Sequence, residues 1–440
     1  MTTLHDRLTD LAEEAPAGGP VPDLWERGRR VHLVRRAGTL GIVAAAVLLL
    51  AVIVGVDWQR SAPEPTPARG TVGLPDRVWA PSPWLPSTDR PGQLVALSSA
   101  DKGTWTGAHS AVVGISASSG EYAFVDLPGA ELENGGAELA PDGQHIAYWL
   151  RGTTTGTPLS ESGPITGVAV YDLRTGDVAQ HWITTPHGLS PEFLTWADTS
   201  TVVFSAGQIR GGDDASGMDQ SSASFGPVAA WSVGGEPRPV AGVEPGFHLE
   251  GAGHGRILVG TFSDRPSRGH LMVDVADPTG ARFIEVPDSS GAIGSLHYVS
   301  PDASGRRIAL VPGNSNPHQV YAGVAGDLTK VPRSGQTFGV VDWIDPDTIV
   351  TLRRVKGPFD GKSALYRVSI STGTARELVR FPVDTYGGSW QFATDLLDAP
   401  SVEAVEPPSP VDPRATATLS VLVCLAAAIA LVLWRRRVRA

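Results

Sequence analysis

Two uncharged apolar segments constrain this chain most, because each is long enough to cross a lipid bilayer. Residues 37–56 and residues 415–434 each contain 20 residues without a charged side chain. At about 1.5 Å per residue, such a segment makes a helix of about 30 Å, the thickness of the hydrocarbon core of a membrane. We therefore predict two transmembrane helices. The first starts too far from Met1 and is too long for a cleaved signal peptide.

Arginine residues beside these segments predict the orientation of the chain in the membrane. Their positions are Arg27, Arg29, Arg30, Arg35 and Arg36 before the first segment, and Arg435, Arg436, Arg437 and Arg439 after the second. Because short loops rich in arginine stay on the cytoplasmic side of a membrane, both segments give the same answer. We expect a multi-pass protein of the cell membrane with two spans, with both termini cytoplasmic (residues 1–36 and 435–440) and residues 58–414 outside.

The region between the two segments has the pattern of an all-β domain. The chain contains 51 glycines and 36 prolines, too many turn-forming residues for a protein built mainly of helices. Over residues 90–398, short β-type runs alternate with clusters of Gly, Pro, Asp and Asn, and the periodicity of amphipathic helices is missing. Proline-rich residues 57–89 and 399–414 predict a stiff, solvated linker and stalk on either side.

Within residues 90–398 a unit of four strands recurs. In one unit, Pro141-Asp142-Gly143 predicts a tight turn between the first two strands. Two further units share a Trp-x-Asp turn, at Trp196-Ala197-Asp198 and at Trp343-Ile344-Asp345. We place the units at residues 93–128, 134–184, 191–240, 247–287, 294–331 and 337–382. The first unit lacks an innermost strand, which a leftover strand at residues 390–397 is able to supply.

These motifs resemble the WD-repeat-like blades of TolB-type β-propellers. The order of cytoplasmic head, span, propeller, stalk and second span is similar to that of uncharacterised membrane proteins of actinobacteria. The resemblance implies an all-β fold, a β-propeller over residues 90–398 flanked by two transmembrane α-helices, and no agreed activity. Six blades fit best if the leftover strand closes the ring, and both connecting segments then leave the same blade. Seven blades or an open β-sandwich are the alternatives.

The sequence contains no motif that indicates catalysis. A Gly-x-Ser-x-Gly elbow, a His-Glu-x-x-His pair and a phosphate-binding glycine loop are all missing. The single cysteine, Cys424, lies in the second apolar segment, so neither a disulfide within the chain nor a cysteine metal site can form. We therefore expect no catalytic residues, no metal and no cofactor. The net charge of −11 argues against nucleic acid as a partner of the main domain.

Three groups of residues are candidates for a ligand site, and each also has an ordinary structural explanation. Four histidines near strand ends either face a pocket or pack at the surface: His145, His181, His187 and His297. Residues 211–219 form an acidic, glycine-rich loop that is either solvated or holds Ca²⁺. Seven tryptophans either bind sugars and peptides or fill the space between sheets: Trp105, Trp149, Trp182, Trp196, Trp231, Trp343 and Trp390. The ligand-binding residues stay open.

Three functions are compatible with this organisation. The first is a non-enzymatic binding or scaffolding module at the cell envelope, whose propeller takes an extracellular protein, peptide or glycan. The second is a transmembrane signal transducer of the anti-sigma type, which couples the propeller to a cytoplasmic regulator at residues 1–36. A short helix carrying Leu4, Leu8 and Leu11 would serve there, but the His-x-x-x-Cys-x-x-Cys zinc motif of such domains is missing. The third is a propeller enzyme that works through residues of its central channel.

Overall fold

The computed structural model describes most of the chain after residue 71. The described ranges are residues 72–133, 136–158, 163–210, 225–261, 269–277, 281–285, 296–312, 318–355, 362–382, 390–407 and 412–439, together with His5, Thr9, Glu13 and Thr279. The chain divides into two compact units, Pro63–Pro410 and a unit made of Met1–Ala62 with Val411–Ala440. The predicted span at residues 37–56 and the acidic loop at residues 211–219 lie outside the described residues, as does most of the head at residues 1–36.

The Pro63–Pro410 unit is a six-blade β-propeller. Two short strands precede the first blade, β1 Leu74–Pro75 and β2 Ser87–Thr88. Blade 1 holds β3 Leu94–Thr104, β4 Gly107–Ser116 and β5 Tyr122–Val125; blade 2 holds β6 Ala137–Leu139, β7 His145–Arg151, β8 Ile165–Asp172 and β9 Val178–Trp182; blade 3 holds β10 Leu189–Trp196, β11 Thr201–Gln208, β12 Ala229–Ser232 and β13 Arg238–Pro239.

The second half of the ring repeats this plan. Blade 4 holds β14 Phe247–Gly253, β15 Arg256–Thr261, β16 Gly269–Asp274 and β17 Arg282–Glu285; blade 5 holds β18 Leu296–Pro301, β19 Arg307–Pro312, β20 Tyr321–Val324 and β21 Asp327–Lys330; blade 6 holds β22 Thr337–Asp345, β23 Thr348–Arg354, β24 Lys362–Ser369 and β25 Ala375–Pro382. In blades 2–6 the four strands pair antiparallel in chain order. The six repeat units are therefore six blades, and the alternatives of seven blades or an open sandwich are wrong.

The hydrophobic core is divided among the spaces between neighbouring blades. The described residues form six clusters of buried side chains, and each cluster joins one blade to the next around the ring. Between blades 2 and 3, for example, Trp149 and Phe204 meet edge to face with their ring centroids 6.2 Å apart. Aliphatic strands such as β8, whose first seven residues are buried, provide both faces that this packing needs.

The C-terminal end of the unit closes the ring. Strand β26, Gln391–Phe392, pairs antiparallel with β3 and becomes the innermost strand of blade 1. The prediction that residues 390–397 supply the missing strand is confirmed in its role, but the strand is shorter. A 3₁₀ turn follows at Thr394–Leu396, where the backbone N–H of Asp395 donates to the carbonyl oxygen of Pro141 instead of to blade 1.

The connecting segments differ from the solvated linker and stalk that the sequence predicts. Strand β1 pairs in parallel with β27, Ser401–Val402, and β2 pairs in parallel with β5 as a fifth strand of blade 1. The side chains of Leu74, Val78 and Leu85 are buried in the core of this unit. The high proline content wrongly indicated a solvated segment, because apolar side chains between the prolines pack against the hydrophobic core.

One long helix follows the propeller in sequence. Helix α1 runs over Pro413–Arg439. Its residues Pro413–Arg437 are long and apolar enough to cross a membrane, and α1 is the single helix of this kind in the part of the chain that the structure describes. Large apolar side chains are exposed along it, among them Leu419, Leu422, Leu425, Ile429 and Leu433.

Candidate functional site

A cavity of about 530 Å³ lies at the centre of the ring. The innermost strand of every blade lines it, with Leu139, Trp196, Leu249, Val299, Val340 and Phe392 as one representative of each. Because those strands run side by side around one axis, the propeller fold brings together residues that are more than 250 positions apart in sequence, such as Leu139 and Phe392. Cavities of this size accommodate a small molecule or a few residues of a peptide.

The charged side chains that line the cavity are almost all acidic. They are Glu138, Asp198, Glu250, Asp342 and Asp395, together with one histidine, His254. Among the described side chains, no lysine or arginine lines the cavity. Such a concentration of like charge in a partly enclosed space produces a negative potential and favours cations or positively charged groups of a ligand.

His254 reaches across the cavity from a tight turn. It forms the two-residue turn between β14 and β15 with Gly255, and both residues have positive φ, 51° and 78°. Its ring Nε2 lies 2.9 Å from Oδ1 of Asp342, on the inner strand of blade 6. The hydrogen bond to Asp342 raises the pKa of His254, although burial of the ring opposes this shift. The imidazole therefore favours its protonated form more than an exposed histidine does.

Asp342 is held in place by further donors. Its Oδ1 also accepts a hydrogen bond of 2.8 Å from the backbone N–H of Trp343, and the hydroxyl of Ser300 lies 3.4 Å away. The indole Nε1 of Trp343 in turn donates to the carbonyl oxygen of Ser300 at 3.0 Å. Blades 5 and 6 are thus joined where they support the carboxylate that pairs with His254.

Two other carboxyl groups of the cavity resist ionisation. Burial raises the pKa of Glu138 to about 8, and a hydrogen bond with the Gln391 side chain only partly offsets this. Burial likewise raises the pKa of Asp395, and the negative charges of Asp342 and Asp142 raise it further. Because water solvates a carboxylate better than the protein interior does, the neutral form of Glu138 predominates at neutral pH.

Glu250 belongs to a second polar group, on blade 4. It occupies a β-bulge, since β14 and β15 pair Leu249 with Val259 and Gly251 with Leu258. Its side chain is 2% exposed and its Oε1 contacts Nε2 of His248. Burial lowers the pKa of the nearby His270, and Glu250 opposes that shift. Among the described residues, no group of three or more His, Cys, Asp or Glu side chains is arranged to hold a metal ion.

Three of the four histidines selected from the sequence do not line this cavity. His145, His181 and His187 are described, and none of them is among the lining residues, whereas the side chain of His297 lies outside the described part of the chain. His254 was not among the residues predicted from the sequence. A histidine next to a glycine between two β-type runs is the only local signal there, because its partner is 88 residues away.

The tryptophans divide into buried and exposed residues. Five of the seven candidates are buried in the propeller: Trp149, Trp196, Trp231, Trp343 and Trp390. Two of these, in the Trp-x-Asp turns, tie neighbouring blades together; Trp196 Nε1 donates to the carbonyl oxygen of Glu138 at 3.0 Å, in the same way as Trp343 does to Ser300. Trp105 and Trp182 are exposed instead, by 49% and 52%.

Comparison with known proteins adds a likeness in fold. No protein-family model matches the sequence, and no curated protein matches it. Solved structures that are similar include a putative TolB from Agrobacterium tumefaciens, with 12% identity over 68% of this chain and 91% of that one and a TM-score of 0.38. TolB from Acinetobacter baumannii has 14% identity, 70% and 67% coverage, and a TM-score of 0.39.

Solved structures of peptidases are also similar. A prolyl endopeptidase has 17% identity over 68% of this chain and a TM-score of 0.42, but this chain spans only 43% of its length. The β-propeller domain of the Trilobed protease from Pyrococcus furiosus has 12% identity, 71% and 96% coverage, and a TM-score of 0.35. Such likenesses concern the fold alone. Structural neighbours of this chain thus include TolB and other β-propellers.

Proposed function

We propose that this chain is a membrane-anchored, extracytoplasmic binding module that takes a positively charged ligand in the central cavity of its propeller, without catalysing a reaction. The observation that carries the proposal is the cavity of about 530 Å³ inside the six blades, whose described lining contains five acidic side chains and neither lysine nor arginine. An amine or a guanidinium group of a peptide or small molecule has the complementary charge.

Anchoring by two spans is part of the proposal. A helix that is apolar on all sides, as α1 is, has no hydrophilic face to present to water and suits the interior of a bilayer. The apolar segment at residues 37–56 and the arginines outside both segments support two spans with both termini cytoplasmic.

The single cysteine makes this topology testable in intact cells. In a Cys424→Ser background, a cysteine at the exposed position Glu236 of the propeller should react with a membrane-impermeant maleimide before lysis. Ala440→Cys should react only after the membrane is permeabilised. Labelling of both positions, or of neither, in intact cells would overturn the proposed topology.

Ligand charge is tested on the purified full-length chain in detergent. Peptides of three residues with one arginine or lysine are compared with their glutamine counterparts by calorimetry. We expect binding of the basic peptides only, weakened about 3- to 10-fold by Asp395→Asn, which corresponds to about 1 kcal/mol. Asp327→Asn, at an exposed site on the outer strand of blade 5, is the control and should leave affinity unchanged. Equal affinity of the charged and neutral peptides would contradict the proposal.

A propeller enzyme is the second candidate, favoured by one observation. Burial raises the pKa of Glu138 to about 8, and Asp342, which forms a hydrogen bond with His254, lines the same cavity. A carboxyl group that keeps its proton near pH 7 is the kind of proton donor that general acid–base catalysis uses. Turnover of an envelope glycan or peptide by the full-length chain, abolished in Glu138→Gln with binding retained, would replace the binding proposal.

Signalling to a cytoplasmic regulator stays a prediction. It rests on residues 1–36, which lie outside the described residues apart from His5, Thr9 and Glu13. Specific recovery of one regulator with the full-length chain, lost when residues 2–36 are deleted, would support it.

A further inference from the structure

A second cavity, of about 390 Å³, lies at the outer part of blade 2, away from the central cavity. It is lined by Gly152, Thr153, Thr155, Thr166, Trp182, Ile183, Thr184 and Thr185. We call this cavity the threonine groove. Its lining contains five hydroxyl groups and one indole, and none of its described lining residues is charged. A neutral ligand rich in hydroxyl groups matches this composition.

Trp182 is the first feature that indicates a ligand. It ends the outermost strand, β9, and is 52% exposed, whereas Trp149 on β7, two strands further towards the centre of the blade, is fully buried. An apolar surface of this size in water forgoes the hydrophobic stabilisation that burial would provide. The ring lies close to the backbone of Gly152, since a Cβ on that residue would lie 2.7 Å from Cζ3 of Trp182.

Thr166 is the second, independent feature. Its Oγ1 is buried, with the residue only 2% exposed, and has no hydrogen-bond partner in the structure. Strands β7 and β8 pair Leu150 with Gly167 and Arg151 with Ile165, so Thr166 is the extra residue of a β-bulge. Bulges redirect a side chain, and an unsatisfied buried hydroxyl is costly to retain without a use.

The other hydroxyl groups have different roles. Thr185 Oγ1 is occupied, since it donates to the carbonyl oxygen of Gly188 at 2.8 Å and accepts from its N–H at 3.0 Å. That pair fixes the turn below the groove. Thr153 and Thr184 are exposed at its rim, where a ligand can reach them. Thr166 therefore provides the buried, unpaired hydroxyl group of the groove, and Thr153 and Thr184 provide accessible ones.

We infer that the threonine groove binds a neutral glycan, with one pyranose ring stacked on the indole of Trp182 and one of its hydroxyl groups hydrogen-bonded to Thr166 Oγ1. The C–H face of a pyranose suits the electron-rich face of an indole, and sugar hydroxyls both donate and accept hydrogen bonds, as threonine does. An anionic sugar fits less well, because the nearest arginine in sequence, Arg151, is already paired with Glu131 at 2.8 Å.

The test measures the affinity of the purified full-length chain for chitotetraose, cellotetraose and mannotetraose by calorimetry, in a zwitterionic detergent without a sugar headgroup. At least one oligosaccharide should bind. Trp182→Ala should weaken that binding by about tenfold or more. Trp105→Ala is the matched control, because Trp105 is equally exposed, at 49%, and does not line the groove.

Thr166→Val provides a second variant that keeps the fold. Since the hydroxyl has no partner in the free protein, the melting temperature should stay the same or rise, while affinity falls about 3- to 10-fold. Failure of all three oligosaccharides to bind, or equal affinity in Trp182→Ala and Trp105→Ala, would overturn the inference. Binding of decaproline that depends on Trp182, with no oligosaccharide bound, would assign the groove to a peptide instead.

Discussion

His254 Nε2 and Asp342 Oδ1 are 2.9 Å apart, and through them blade 4 contacts blade 6 across the central cavity. The pair bypasses blade 5, whose Ser300 hydroxyl only supports the carboxylate. A charged hydrogen bond at this place restrains the inner ends of two blades that are not neighbours in the ring, and it does so more strongly when the imidazole is protonated.

The first prediction concerns the pH dependence of this pair. Because the pKa of His254 is raised above its value of 6.5 in the unfolded chain, the pair stabilises the fold fully below pH 6.5 and loses this effect as the pH rises through the raised pKa. In thermal unfolding from pH 5.5 to 8.5, the melting temperature of His254→Gln should therefore fall furthest below that of the wild type at low pH. His109→Gln, an exposed histidine, is the control. A decrease in melting temperature that is the same at every pH would show that the charge of the His254 imidazole does not contribute to stability.

Glu138→Gln should stabilise the protein, and increasingly so as the pH rises. The pKa of Glu138 is about 8 in the fold and 4.5 without it, so the unfolded state loses its proton first and stability falls between these values. The amide avoids this loss, which amounts to at most about 1.4 kcal/mol per pH unit. Melting temperatures at pH 5, 6.5 and 8 test the trend against the exposed control Glu236→Gln. A gain in melting temperature over the wild type that is no larger at pH 8 than at pH 5 would contradict the prediction.

Gln391→Ala should weaken the closure of the ring. The Gln391 side chain accepts a hydrogen bond of 2.8 Å from Leu139 N–H and donates one of 2.9 Å to the carbonyl oxygen of Ala137, which ties the closing strand to blade 2. Two lost bonds to buried backbone groups cost about 1–3 kcal/mol in the free energy of unfolding. Gln180→Ala, on the exposed outer strand β9, should cost less than about 0.5 kcal/mol in the same urea titration.

Gly143→Ala should be far more damaging than Gly234→Ala. Both glycines have positive φ, 69° and 87°, so alanine is strained at either position by about 1–2 kcal/mol. At Gly143 the new Cβ would also overlap the carbonyl oxygen of Leu94. Blades 1 and 2 are joined at this point by a hydrogen bond of 2.8 Å from Leu94 N–H to the carbonyl oxygen of Gly143. At Gly234 the new Cβ meets nothing within 4 Å. Equal melting temperatures of the two variants would show that the backbone of blade 1 at Leu94 moves aside at little cost.

The blades could be predicted from the sequence because short-range patterns of turn residues and strand residues determine where each strand begins and ends. Pro141-Asp142-Gly143 forms the turn between β6 and β7, and the six repeat units coincide with the six blades. The closing strand was predictable for the same reason, since an incomplete first unit and a spare final strand imply each other. Residues 72–88 were misjudged because burial of Leu74 depends on a surface built by distant strands.

The candidate sites were harder to predict, because their geometry arises from long-range pairing. His254 and Asp342 become partners only when blades 4, 5 and 6 have packed side by side. In the sequence, Thr166 does not differ from the other residues of β8. Its position in a β-bulge follows from a shift of one residue in the pairing of β7 with β8. Trp182 and Trp149 both follow β-type runs, and only the position of a strand within its blade decides which indole is exposed.

The parallel pairing of β1 with β27 has a mechanical consequence. The two strands run in the same direction, and their hydrogen bonds, Leu74 N–H to Pro400 O and Asp76 N–H to Val402 O, are each 3.0 Å long. A force that pulls the two ends of the domain apart therefore acts along the strands and loads both bonds together in shear, instead of opening them one after the other. A domain held at both ends would resist tension at this clamp before any blade unfolds.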